Sequence, residues 1–111
     1  MTRLSEDLQI QLKKGVLELC VLSILSRGDS YGYEIAGRLT NGIGMGEGTI
    51  YPLMRRMQND GLVKTYLVES ASGPPRKYYK LSQAGRAAFE GQLTEWSHFE
   101  SAVRKLLGDH A

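Results

Sequence analysis

The chain has one cysteine, three prolines and two histidines. Cys20 alone cannot close an internal disulfide, and a thiolate metal cluster would need ligands that are not there. His98 and His110 stand apart, without the spacing that brings two imidazoles onto one metal. No apolar run reaches the roughly 18 residues of a membrane span. The first ten residues are polar and mixed in charge and do not read as a secretory signal, so the expected location is the cytoplasm. Catalytic sets are missing as well. There is no Ser/His/Asp arrangement and no pair of carboxylates in a pocket context. The Gly-rich stretch Gly42–Gly48 lacks the preceding strand and the terminal Lys-Ser/Thr of a phosphate-cradling loop. The expectation is a protein that is not an enzyme, with no cofactor and no metal.

What is present is one ordinary globular domain's worth of chain, 111 residues with 41% hydrophobic and 23% charged side chains. A core of that size is thin, and oligomerisation is a standard way to enlarge it. The net charge of +2, from 14 basic and 12 acidic residues, is too small to argue for a nucleic-acid partner. Its distribution says more.

From Leu12 to Ser26 the apolar spacing predicts a helix that is hydrophobic around most of its circumference from Val16 onward, hence central. Arg27-Gly28-Asp29 ends it, with Gly28 as a left-handed cap. Asp29 or Ser30 can cap a short second helix, about Tyr31 to Leu39, with Ile35, Ala36 and Leu39 on its apolar side. Asn41–Gly48, four glycines in eight residues, reads as a loop anchored by Ile43 and Met45. A third helix spans about Gly48 to Asn59, where Ile50, Leu53, Met54 and Met57 fall on one narrow face. Pro52 sits early enough to forfeit only about one backbone bond. The period then changes. Leu62–Glu69 and Arg76–Leu81 read as strands joined through Ser70–Pro75, a hairpin. Ser82 caps a last helix to about Leu107, with Gly108 as its stop. Phe89, Leu93, Trp96, Phe99, Val103, Leu106 and Leu107 repeat along it at spacings of three and four. Such a helix is on the order of 38 Å long, more than a head of this size covers, so its stripe calls for a partner helix from a second copy.

The order is mainly α with a small β-hairpin (α+β). Helix two, a Gly-rich turn and helix three compose a helix-turn-helix, and the hairpin makes it a winged one. Residues 1–81 then form the winged helix-turn-helix and 82–111 a long C-terminal dimerisation helix. In that geometry the third helix enters the major groove of DNA and the hairpin lies along the backbone. The face of helix three opposite its apolar side carries Gly48, Pro52, Arg55 and Asn59, flanked by Thr49, Tyr51 and Arg56, with no carboxylate. Gly48 lets backbone approach a phosphate at a helix N-terminus, and Arg55 can reach guanine O6 and N7. The hairpin adds Lys64, Arg76, Lys77 and Lys80 against Glu69 alone, a local excess of three that exceeds the net charge of the whole chain.

These residues resemble a known family. Tyr31-Gly32-Tyr33-Glu34-Ile35, then Gly48-Thr49-Ile50-Tyr51-Pro52-Leu53 running on to Asp60-Gly61-Leu62-Val63, then Arg76-Lys77-Tyr78-Tyr79-Lys80-Leu81 with Gly85, are similar to the PadR family of bacterial transcriptional regulators. The short tail resembles the compact subfamily. The resemblance implies a homodimer joined through the last helix, reading an inverted repeat at a promoter, usually as a repressor, at AT-rich operators. By position it implies groove or phosphate contacts from Thr49, Tyr51 and Arg55, a phosphate contact from Tyr33, and wing contacts from Gly73, Arg76 and Lys77. Gly46 and Glu47 depart from the Ser or Asn that many members carry there.

Several residues have two readings. Tyr33 is either a phosphate contact or an aromatic packed on helix one. Arg76 and Lys77 also suit a charged edge strand that resists aggregation. Tyr78 and Tyr79 alternate faces, one to the core and one to the surface. Trp96 is a dimer-core anchor or a platform for a flat aromatic ligand between subunits. Cys20, between Leu19 and Val21, reads as a buried inert thiol. A winged helix that binds another protein instead of DNA is the alternative for the whole chain. Steep weakening by salt marks the DNA binder.

Overall fold

The structure is a computed structural model. It describes residues 2–110, and the side chains of residues 12, 13 and 15–110. The element order is α1 (Thr2–Ser26), β1 (Ser30–Tyr31), α2 (Gly32–Ile43), α3 (Glu47–Asn59), β2 (Val63–Ser70), β3 (Gly73–Leu81) and α4 (Gln83–Leu107), with a 3-10 turn at Gly108–His110. The sheet is antiparallel in the order β1-β3-β2.

The core forms where the apolar faces of three helices meet one face of this sheet. Leu17, Val21, Leu22 and Leu25 of α1 pack with Ile35, Ala36 and Leu39 of α2 and with Ile50, Met54 and Met57 of α3. Val63, Tyr79 and Leu81 close it from the sheet. Helix α1 is the central one, as its apolar circumference implies. It begins ten residues before the apolar pattern does, through a stretch that includes the good helix formers Leu, Glu, Gln and Arg.

Four local expectations change. Neither Asp29 nor Ser30 is the cap of α2; Ser30 and Tyr31 form a short strand, pairing with Tyr79 and Tyr78. The cap residue of α2 is Tyr31, and the Ser30 hydroxyl donates to the Glu34 carboxylate. Helix α2 runs four residues past Leu39, because Ile43 sits one turn beyond it and packs against the core. Gly44, in the left-handed region at φ 70°, then donates its N–H to the Thr40 carbonyl at 3.0 Å, the Met45 amide donates to the Leu39 carbonyl at 3.5 Å, and the Thr40 hydroxyl donates to the Met45 carbonyl at 2.8 Å. The loop is thus Gly44–Gly46 alone. Gly28, at φ 150°, lies outside the left-handed helical region expected of a cap.

The hairpin turn is shorter than expected, because β3 starts at Gly73 and takes in Pro74 and Pro75. Two residues without N–H groups break the ladder, and the register shifts between Val68 and Ser70. At the other end, α4 is fastened to the wing. Ser82 Oγ accepts from the Gly85 amide at 3.0 Å and donates to the Gly61 carbonyl at 2.6 Å, while the Ser82 amide donates to the Leu62 carbonyl at 3.1 Å. From there α4 runs back beside α1. The radius of gyration is 16.0 Å, against about 13 Å for a ball of this length. The chain is drawn out to 52 Å along one axis.

Candidate nucleic-acid interface

Helix α3 buries Ile50, Met54 and Met57 and half-buries Leu53. That anchors the opposite strip, Gly48, Pro52, Arg55 and Asn59, in solvent. The N-cap is Gly46, without a side-chain cap, so the helix N-terminus is bare. The Thr49 amide already donates to the Gly46 carbonyl at 3.1 Å, but the Glu47 and Gly48 amides have no intrahelical acceptor there and favour an anion. Glu47 is exposed in the same turn. The bond forfeited at Pro52 is the one to Gly48, whose carbonyl is exposed to water anyway.

The two flanks of the strip differ. Tyr51 leans toward the start of α2: a Cβ at Gly32 would stand 3.4 Å from its ring and 3.5 Å from that of Tyr79. Partial burial, and then Glu47, hold the Tyr51 phenol above its ordinary pKa, with smaller contributions from Tyr79 and Tyr33. It therefore remains a hydroxyl donor across the physiological range. Tyr33, on the first turn of α2, is 72% exposed. That exposure does not fit an aromatic half-buried against α1. The other flank, Thr49 and Pro52, faces α1 across a small groove that Leu17, Glu18, Leu53 and Arg56 also line.

Arg55 and Arg56 part company here. Arg56 reaches the Glu18 carboxylate at 3.1 Å and the Asp60 carboxylate at 3.6 Å. Arg55 is exposed, and no ion pair engages it among the described residues. The free guanidinium thus belongs to the arginine on the exposed strip.

The wing does not present its charge on one side. Tyr79 and Leu81 face the core, and Lys77 lies on their side, its ammonium 5.5 Å from the Tyr79 ring. Arg76 points the other way, its guanidinium 4.5 Å over the Tyr31 ring. Tyr31, Tyr78 and Tyr66 are in register across the three strands on that outer face, where Tyr66 stacks on Tyr78 at 5.7 Å and Tyr31 meets Tyr78 tilted at 5.5 Å. Lys64 and Lys80, paired with each other, share its parity. Of the four wing cations, then, Lys77 is the one on the side of α3. The Tyr66 hydroxyl donates to Asp29 at 2.6 Å, and that bond holds its pKa above the usual phenol value. Gly73 sits exposed beside the Ala71-Ser72 turn at the wing tip. The outer tyrosine row and the Glu18 contacts were missed by sequence reasoning, since both depend on register or long-range packing.

Along α4, Leu93, Trp96, Phe99, Leu106 and Leu107 remain exposed, Leu106 to 89%. Val103 is half-buried. Phe89 differs from the rest of the stripe, since it packs against the core of its own head. Between α1 and α4 runs an apolar groove of about 650 Å³, with Trp96, Phe99 and Val103 on one wall and Leu12 and Val16 on the other. Cys20 is half-buried and not enclosed as expected. Burial still pushes its thiol pKa up. No described helix is long and apolar enough to cross a membrane.

Three helices followed by a hairpin, with the third helix presenting a free cationic strip and a bare N-terminus, define a winged helix-turn-helix protein. The chain belongs to the PadR-like family of transcriptional regulators, whose family model matches residues 21–91. It is similar to a PadR-like transcriptional regulator from Bacillus cereus, at 40% identity and a TM-score of 0.80, covering 87% of this chain and 96% of that one. It is also similar to a PadR family transcription regulator from Clostridium difficile, at 34% identity and a TM-score of 0.76, covering 84% and 99%. Bacillus subtilis PadR, solved in complex with operator DNA, shares the fold at 21% identity and a TM-score of 0.64, over 70% of this chain and 46% of that one.

Proposed function

We propose that this transcriptional regulator is a homodimeric, sequence-specific repressor that binds an inverted repeat of double-stranded DNA through α3 and the wing. The observation that carries the reading is the contrast on α3: Arg56 is neutralised by two carboxylates, whereas Arg55 stands free on the strip with Gly48 and Pro52. Thr49, Tyr51 and Tyr33 flank that strip as groove or phosphate contacts. Gly73, Arg76 and Lys77 supply the wing, with Lys77 on the groove side. The operator complex of Bacillus subtilis PadR supports a DNA ligand for this fold. The exposed α4 stripe supports self-association, which would place two recognition helices about one helical turn apart.

The test is selection of bound duplexes from a random pool, run in parallel with Arg55→Ala. Enrichment of an inverted repeat, lost or relaxed in the variant, is the expected result. Absence of binding at low salt would move the weight to a winged helix that binds protein. An affinity indifferent to salt would do the same.

A second reading concerns control. The groove beside Trp96 is apolar and of a size that takes a small aromatic molecule. Such an effector releases DNA if it prefers the spacing of heads that DNA does not fit. Fluorescence of Trp96, the one tryptophan in the chain, reports its binding.

A further inference from the structure

Glu18 is the meeting point of three helices. It projects from α1, and its side chain is 23% exposed. Oε1 accepts from Arg56 Nη2 of α3 at 3.1 Å, and Oε2 accepts from Gln92 Nε2 of α4 at 2.6 Å. Two grooves flank α1 at this level. One holds Gln92, Glu95 and Trp96 of α4, and the other holds Thr49, Pro52 and Arg56 of α3. Glu18 lines both, and no other described residue does.

We infer that Glu18 is a positioning residue that couples the placement of α4 to the placement of the recognition helix. The inference rests on the DNA-binding reading of α3. Its physical basis is the shape of a carboxylate, whose two oxygens are fixed on one planar carbon. When α4 shifts along α1, Oε2 follows Gln92, and the same rotation carries Oε1 away from Arg56. Arg56 has a second acceptor in Asp60 of its own helix, at 3.6 Å. Both contacts are made at once, Nη2 to Glu18 and Nη1 to Asp60, so release of Glu18 leaves Arg56 held on its own helix alone and removes this tie between α3 and α1. Held and released are the two arrangements through which the coupling would pass. Whatever displaces α4, a second copy or a molecule in the Trp96 groove, then acts on the flank of α3 that carries Thr49 and Pro52. By reciprocity, a duplex bound to α3 acts on Trp96.

Reciprocity gives a test that needs no effector. A labelled duplex recovered by selection is titrated into the full chain, at protein concentrations well above self-association. Anisotropy reports binding, and the emission maximum of Trp96 reports the α4 groove. In the native chain the emission shift should track the anisotropy. Glu18→Gln keeps one acceptor and loses the charge, and Gln92→Ala removes only the α4 arm. Each should bind the duplex within about tenfold of the native chain, since the contacts are partly exposed, and each should lose the emission shift. The double variant should lose no more than either single one. A full shift in both variants, or no shift in a native chain that binds the duplex, would overturn the coupling and leave the DNA reading standing. A native chain with no duplex affinity refutes the DNA reading and the coupling with it.

Discussion

Glycine at position 85 is where the wing, the head and α4 come within contact of one another, and it permits a sharp test of how α4 is held. A Cβ built there collides with the Leu62 carbonyl oxygen and stands 3.1 Å from both the Leu62 carbonyl carbon and Leu81 Cδ2. The obstacle is backbone, so no side-chain rotation relieves it. The Leu62 carbonyl is also held by the Ser82 amide, and the Gly85 amide by Ser82 Oγ. Moving either group by the ångström or so required strains the cap of α4, worth about 1 kcal/mol, and a backbone hydrogen bond worth about 1 kcal/mol. With the overpacking of Leu81 added, Gly85→Ala should cost about 3 kcal/mol, at the upper end for an inserted methyl. For a domain this size that lowers Tm by more than about 10 °C. The control is Gly91→Ala on the same helix. Nothing lies within 4 Å of that Cβ, so helix propensity alone acts and stability rises by up to about 1 kcal/mol. Thermal melts followed by circular dichroism, at one protein concentration, measure both. A Gly85→Ala melt within about 2 °C of the native one would refute the close approach of α4 to the Leu62 backbone on which this reasoning stands.

Phe99→Glu places a charge in the exposed α4 stripe, away from the head, and should give a folded monomer by sedimentation with weakened duplex binding; a stable dimer would show that the stripe is not the interface. Lys77→Ala should lower the slope of log affinity against log salt by about one, as removal of a phosphate contact does, whereas Arg76→Ala, on the outer face over Tyr31, should change it less. Equal changes would mean that both faces of the wing touch DNA. Cys20 has its thiol pKa raised by burial, so its thiolate forms later as pH rises than in the unfolded chain. Its reaction rate with an aromatic disulfide should keep climbing at pH values where the unfolded chain has levelled off, and simultaneous levelling would contradict the burial.

Much of this molecule is legible wherever a local period decides the outcome. Ile50, Met54 and Met57 are buried because i, i+4 and i+7 share a face, and the strip opposite follows without further information. Ser82 caps α4 because a hydroxyl before a helical run finds a free amide, here that of Gly85. Tyr79 turns inward and Tyr78 outward because a strand alternates. The failures have one cause too. Strand β1 is two residues long and exists through the pairing of Ser30 with Tyr79 and Tyr31 with Tyr78, far along the chain, so no local pattern announces it. The wing cations were counted together, yet alternation sends Arg76 and Lys77 to opposite faces, and register alone says which face meets α3.

The arginine pair on α3 marks the boundary between the two kinds of information. The helical wheel places Arg55 on the exposed strip and Arg56 at its edge. It cannot show that Arg56 is already engaged, because Glu18 lies 38 residues earlier in the chain. The distinction matters more than the position. An exposed guanidinium with a carboxylate at 3.1 Å has part of its charge balanced and one amino group engaged before a phosphate or a base arrives, while a free one gives up only water. Arg55 therefore brings its full charge to a ligand. Arg56 is balanced by Glu18 and Asp60, and Glu18 is held on its other oxygen by α4. A helix whose two adjacent arginines answer to different constraints can bind constitutively through one and conditionally through the other.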